Sequence, residues 1–171
     1  MSAGRNNMVT KQTGEYLVAA ELGRMGYIAT TFTGNVPEFD IIAVNENLNV
    51  VKIQVKTTMN PKSFPISLES LQIKVKHLRD KRQEVSKGTL INPELVYVIV
   101  LKGEKYTEDR FFVCTKKVLR DAAFNGYKAF LDKHDGRRPQ KQGSERNYIE
   151  FSLLTDYEDR WDIIKTMLAK R

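Results

Sequence analysis

Three polar side chains, Asp40, Gln54 and Lys56, are spaced so that one strand pair would bring them together. Val50–Thr58 alternates, with Val51, Ile53 and Val55 on one face and Lys52, Gln54 and Lys56 on the other, which is the period of a half-buried strand. The polar run Asn45–Asn49 separates it from a second apolar run, Phe39–Val44, so the two read as a hairpin. With the turn centred on Asn47, antiparallel partners have numbers that sum to 94. Asp40 then lies opposite Gln54, their Cβ atoms about 5 Å apart, and Lys56 shares the face of Gln54. An acid, a carboxamide and an amine converge on one patch, and a one-residue slip of register would break the arrangement. The solvated outer face of an ordinary hairpin would carry the same Gln-x-Lys pattern.

Glu15 is a second candidate. From it, steps of three and four land on Val18, Ala19, Leu22 and Met25, a stripe that predicts a helix over Lys11–Met25 stopped by Gly26. A carboxylate on an apolar stripe is costly unless it is paired, hydrogen-bonded or bound to metal. A first-turn residue that reaches water and favours the helix dipole is the plainer alternative.

Taken together, Gly14-Glu15, Gly26-Tyr27, Pro37-Glu38-Phe39-Asp40-Ile41-Ile42-Ala43 and Ile53-Gln54-Val55-Lys56-Thr57-Thr58 resemble the PD-(D/E)XK nuclease superfamily. The similarity extends over residues 13–58. It is greatest to the Gln-x-Lys branch, which contains a group I intron homing endonuclease, and extends to archaeal Holliday-junction resolvases. The resemblance implies a restriction-endonuclease-like α/β fold with an αβββαβ core, its mixed central sheet flanked by helices. It implies a Mg²⁺-dependent DNA endonuclease, with Mn²⁺ as a substitute ion. In those roles Asp40 is the principal metal ligand, Gln54, the Val55 carbonyl and Glu15 complete the ligand set, and Lys56 is the catalytic lysine. Two departures stand out. Pro37 and Asp40 are separated by Glu38 and Phe39, and Gln54 replaces an acid, which lowers the negative charge available to a metal. Those departures leave open a catalytically silent nucleic-acid-binding module. A partner-binding protein is a further alternative.

The chemistry suits the composition. Phosphodiester hydrolysis uses a hard cation and oxygen ligands, and this chain has two His and one Cys. A single cysteine excludes an internal disulfide framework and a multi-cysteine zinc site. Net charge is +7, from 28 Lys and Arg against 21 Asp and Glu, which favours an anionic partner. Lys74, Lys76, Arg79, Lys81 and Arg82 fall in one basic segment and Arg137, Arg138 and Lys141 in another. Both are candidates for phosphate contact with double-stranded or branched DNA. His77 and His134 read as solvated, and Cys114 as a buried small hydrophobe. No apolar run approaches the roughly 20 residues of a membrane span, and no signal-peptide core opens the chain, so the expectation is a cytoplasmic protein without a membrane partner.

The 171 residues read as one domain, 1–171, with an elaboration from 116 to 171. Strands are expected at Tyr27–Phe32, Phe39–Val44, Val50–Thr58, Leu95–Leu101, Arg110–Thr115 and Tyr148–Leu153, with a short extended piece at Pro65–Leu68. Helices are expected at Leu71–Val85, Lys116–Lys133 and Tyr157–Leu168, the last docked through Tyr157, Trp161 and Ile164. Gly136–Asn147 reads as a flexible polar loop. Cutting both strands of a duplex implies a homodimer.

Overall fold

The computed structural model describes residues 3–32, 38–138 and 146–169. Helix α1 (Ala3–Arg24) starts earlier than its apolar stripe and ends as its sequence dictates. Gly26 takes φ +82°, with Tyr27 N–H on the Leu22 carbonyl at 3.0 Å and Gly26 N–H on that of Gly23 at 3.0 Å. This left-handed stop satisfies carbonyls that the helix leaves open. Met25, expected on the buried stripe, lies past the helix end and is 37% exposed.

Strands β1 (Ile28–Thr31), β2 (Ile41–Val44) and β3 (Val50–Thr58) form an antiparallel meander. The pairs Ile41–Ile53, Ile42–Lys52, Ala43–Val51 and Val44–Val50 give the register expected from a turn centred on Asn47. Asn45 holds that turn: its Oδ1 accepts the N–H groups of Asn47 and Asn49 at 3.1 and 2.9 Å, and Leu48 takes φ +62°. An Asn side chain that closes on its own backbone specifies a turn locally.

Next come β4 (Ser63–Ser67), β5 (Ile73–His77), β6 (Gln83–Lys87), β7 (Val96–Leu101), β8 (Arg110–Thr115), α2 (Lys116–Lys133), β9 (Arg146–Glu150) and α3 (Asp162–Ala169). The central sheet runs β1-β2-β3-β7-β8, with β3 and β7 parallel and every other pair antiparallel. Val51, Ile53, Val55, Val96, Val98 and Val100 bury one face against Val18 and Leu22 of α1 and Ile164 and Leu168 of α3. The other face carries Tyr97, Ile99, Phe112 and Cys114 against Leu119, Ala123 and Tyr127 of α2. Trp161 packs on Phe111 at 5.3 Å and fastens the turn that leads into α3.

Residues 71–85, expected as a helix, instead run from the end of a 3-10 turn at Leu71 into the β5–β6 hairpin, which pairs Ile73–His77 with Gln83–Lys87. Ile73-Lys74-Val75-Lys76 alternates at period two, and Asp80 accepts the Arg82 N–H in the turn. Two short antiparallel strands put Ile73 and Gln83 inward, whereas a helix would have spread these basic side chains around its whole circumference. The crossover between parallel β3 and β7 is therefore built from β4 and this hairpin, and the middle helix of the expected αβββαβ order is replaced. Two smaller shifts occur near the C-terminus. β9 starts earlier than expected, with Phe151–Leu153 in a 3-10 turn. α3 starts later, because Glu158 bridges Phe112 of β8 in extended form and Asp159 takes φ +51°. Residues 139–145 of the Gly136–Asn147 loop, and Lys141 with them, lie outside the described residues.

Candidate functional site

The site forms where β2 and β3 part. Asp40 precedes β2 and still donates its N–H to the Ile53 carbonyl at 2.8 Å. Two residues earlier, Glu38 takes φ +76° and the chain turns away. Val55 N–H would be left without a strand partner there, and Asp40 Oδ2 accepts it at 2.8 Å. The same oxygen accepts the Gln54 Nε2–H. The Val55 carbonyl points the same way as its N–H, because a residue in a strand directs both groups to one side. The carboxylate, the carboxamide and that carbonyl thus gather at the end of β2, as the register requires.

Lys56 lies two residues beyond Gln54, on the same face and half-buried. Burial pushes its pKa below the ordinary lysine value and Lys11 adds to this, while Asp40 and Glu15 oppose it.

Glu15 reaches the same place from α1. Gly14, beside it, lets the helix lie directly on β3: a Cβ at this position would stand 1.9 Å from Thr57 Oγ1. We expect Gly14→Val to cost about 1–3 kcal/mol through overpacking and to push Glu15 away from Asp40. Thermal melts and metal titration check the two effects separately. Burial raises the pKa of Glu15, and the charge of Asp40 raises it further, with Lys11 and Lys56 holding it back. The Glu15 and Asp40 side chains are 11% and 10% exposed, so the stripe position read from sequence is a withdrawn carboxylate and not a first-turn residue in water.

Two groups were missed in the sequence. Lys11 places its Nζ 3.3 Å from Asp40 Oδ1 and 3.5 Å from Glu15 Oε1; its position four residues before Glu15 is the signal that would have found it. Tyr97 is the β7 neighbour of Gln54 in the parallel ladder. Burial, reinforced by Cys114, Asp40 and Glu38, pushes its phenol up to about 12, so it keeps its proton. Glu38 itself turns to Asn92, whose Nδ2 it accepts at 2.9 Å.

Among the described residues no group of three or more His, Cys, Asp and Glu side chains is placed to hold a metal. The donors present are the oxygens of Asp40 and Glu15, the Gln54 carboxamide and the Val55 carbonyl, a set that suits a hard cation such as Mg²⁺. The Lys11 ammonium between the two carboxylates shows that a cation fits there.

The two basic segments meet. Gln83 donates its backbone N–H to the Gly136 carbonyl and its Nε2–H to that of Arg138, both at 2.7 Å, which seats the hairpin on the end of α2. Lys74, Lys76, Arg79, Lys81 and Arg137 are exposed. Arg82 is exposed and pairs with Asp80. Arg138 is held back, stacked 4.7 Å over Tyr127 and 5.2 Å over Phe130 and donating to Asn147 Oδ1 at 2.7 Å. Cys114 is fully buried and its thiol is pushed up to about 12, which removes it as a nucleophile.

No family model and no curated protein sequence matches the chain. Its structure is similar to that of a bacterial homing endonuclease, over 96% of each chain at TM-score 0.52 and 13% identity. Hjc, a Holliday junction resolvase from the archaeal hyperthermophile Archaeoglobus fulgidus, aligns with 91% of this chain and 95% of its own, at TM-score 0.48 and 13% identity. The first likeness shows the fold: a mixed α/β chain of the restriction-endonuclease-like, nuclease-like type.

Proposed function

We propose that this chain is a divalent-metal-dependent DNA endonuclease acting through Asp40, Glu15, Gln54, Val55 and Lys56. The observation that carries the reading is the meeting of two withdrawn carboxylates, a carboxamide and a half-buried lysine where β2 and β3 diverge in a nuclease-like fold. Asp40 and Glu15 would hold Mg²⁺ or Mn²⁺, with the Gln54 Oε1 and the Val55 carbonyl as further oxygens. A bound ion supplies polarisation of the phosphoryl oxygen and a more acidic water. The chain's own part is electrostatic and positional. The strand pair fixes Asp40 relative to Gln54 to within a hydrogen bond. Lys56 presents an ammonium to the charge that develops on phosphate, in a place where water screens it weakly. The basic face made by the hairpin and the end of α2 would track the DNA backbone, with salt-sensitive affinity that is blind to sequence. Two copies acting as a homodimer in the cytoplasm complete the reading, since a duplex has two strands to cut.

The test is cleavage of supercoiled plasmid, branched DNA and single strands in Mg²⁺ or Mn²⁺. Nicking that chelator abolishes is the expected result. Retained DNA binding with no cutting of any substrate favours a second reading, a silent DNA-binding module. The Gln54 amide, which donates to Asp40 where an acid would add charge, supports that reading.

Gln54→Glu separates the two consequences of that amide. The variant should bind Mg²⁺ more tightly than wild type and melt lower in chelator. Its carboxylate would face Asp40 without a proton to donate, at a cost of about 1–3 kcal/mol. Calorimetry and melting curves with and without Mg²⁺ give both values.

A further inference from the structure

The Asp40–Glu15 pair already has a cation. Lys11 projects from α1 one turn before Glu15 and puts its ammonium 3.3 Å from Asp40 Oδ1 and 3.5 Å from Glu15 Oε1. Its side chain is 52% exposed while the two carboxylates are 10% and 11% exposed, so the ammonium closes the site from the solvent side on a flexible stem. Two withdrawn carboxylates repel each other strongly unless a positive charge lies between them. A divalent ion that uses the same oxygens meets that ammonium as a like charge in the same space.

We propose that Lys11 is a resident counter-cation that exchanges with the divalent ion: metal entry between Asp40 and Glu15 expels the Lys11 ammonium to solvent. This rests on the reading of Asp40 and Glu15 as metal ligands. Lys11 is thus a positioning residue that holds the carboxylates together in the metal-free protein and sets the affinity for metal. The apparent metal affinity is the intrinsic affinity reduced by the free energy of breaking the two ammonium contacts.

The experiment titrates Mn²⁺ by calorimetry into the full chain as wild type, Lys11→Met, Lys11→Gln and Asp40→Asn. Circular dichroism confirms that each folds. Both Lys11 variants should bind Mn²⁺ about tenfold more tightly, equivalent to about 1.4 kcal/mol. They should also melt below wild type in chelator and recover with saturating Mn²⁺. A second readout separates exchange from a general loss of positive charge: in protein labelled at lysine, the Lys11 side-chain resonances should move to free-lysine positions when Mg²⁺ saturates the site. Ion binding that Asp40→Asn abolishes, with Lys11 resonances that stay in place or Lys11 variants no tighter than wild type, overturns the exchange and leaves the metal site standing. No Mn²⁺ bound by wild type or by either Lys11 variant overturns the metal site, and the exchange with it.

Discussion

Asp40→Asn should abolish metal-dependent cleavage while leaving the protein folded. The metal's contribution to phosphoryl transfer amounts to several kcal/mol, which at about 1.4 kcal/mol per decade is roughly a thousandfold in rate. Asn keeps an oxygen able to accept the Val55 N–H, so the strand end stays closed, while the charge and the Lys11 contact at the other oxygen are lost. Asp40→Ala removes that acceptor as well. The Val55 N–H and the Gln54 amide then lose their partner, and a further destabilisation of about 1–3 kcal/mol follows. Plasmid nicking and thermal melts on the two variants side by side distinguish them: equal losses of activity, unequal losses of stability. An Asp40→Asn protein that cuts as well as wild type would move the chemistry elsewhere.

Lys56→Met should remove activity and make the protein more stable, not less. Burial depresses the Lys56 pKa below its ordinary value, so the folded state disfavours the ammonium relative to the unfolded chain. The unfolded chain therefore binds more protons between the folded and unfolded pKa values, and stability rises with pH through that window. Below it, the buried ammonium opposes folding in full. Lys56→Met removes that opposition at neutral pH, and its advantage in Tm should shrink as the pH approaches the ordinary lysine pKa of about 10.4. The lost ammonium costs at least about a hundredfold in rate, the scale of one preorganised electrostatic group. A group kept at a cost to stability and rewarded in chemistry is the signature of a functional site. Wild-type cleavage carries a matching pH signature: its alkaline limb should begin below the pH at which a surface lysine titrates. A Lys56→Met protein that melts lower at neutral pH would mark Lys56 as a structural ion-pair partner of Asp40.

Much of the site was legible because its parts lie close in sequence or follow one period. The alternation of Val51 to Lys56 and the Asn45 turn set the β2–β3 register, and with it the meeting of Asp40 and Gln54. Side chains at period two and a turn closed by its own Asn are local properties. The inward face of Glu15 and the glycine stop at Gly26 were local in the same sense, as were the seven-residue continuity of β7's apolar run from Leu95 and the buried Cys114.

Only tertiary structure decided the rest. Residues 73–87 carry alternation at period two in two short pieces, and with basic side chains between them they also fit a helix. Packing settled it, because the hairpin could bury Ile73 and Gln83 beneath α2 while leaving its lysines in water. Glu15 and Asp40 are 25 positions apart and share no period. They meet because Gly14 lets α1 press onto Thr57, a contact between backbone and side chain that no pattern in either segment encodes. Lys11 followed them there as the positive charge that two withdrawn carboxylates require. A sequence specifies faces and registers through short-range geometry; which faces meet depends on the burial free energy of the whole chain, and that sum placed a cation on the carboxylates.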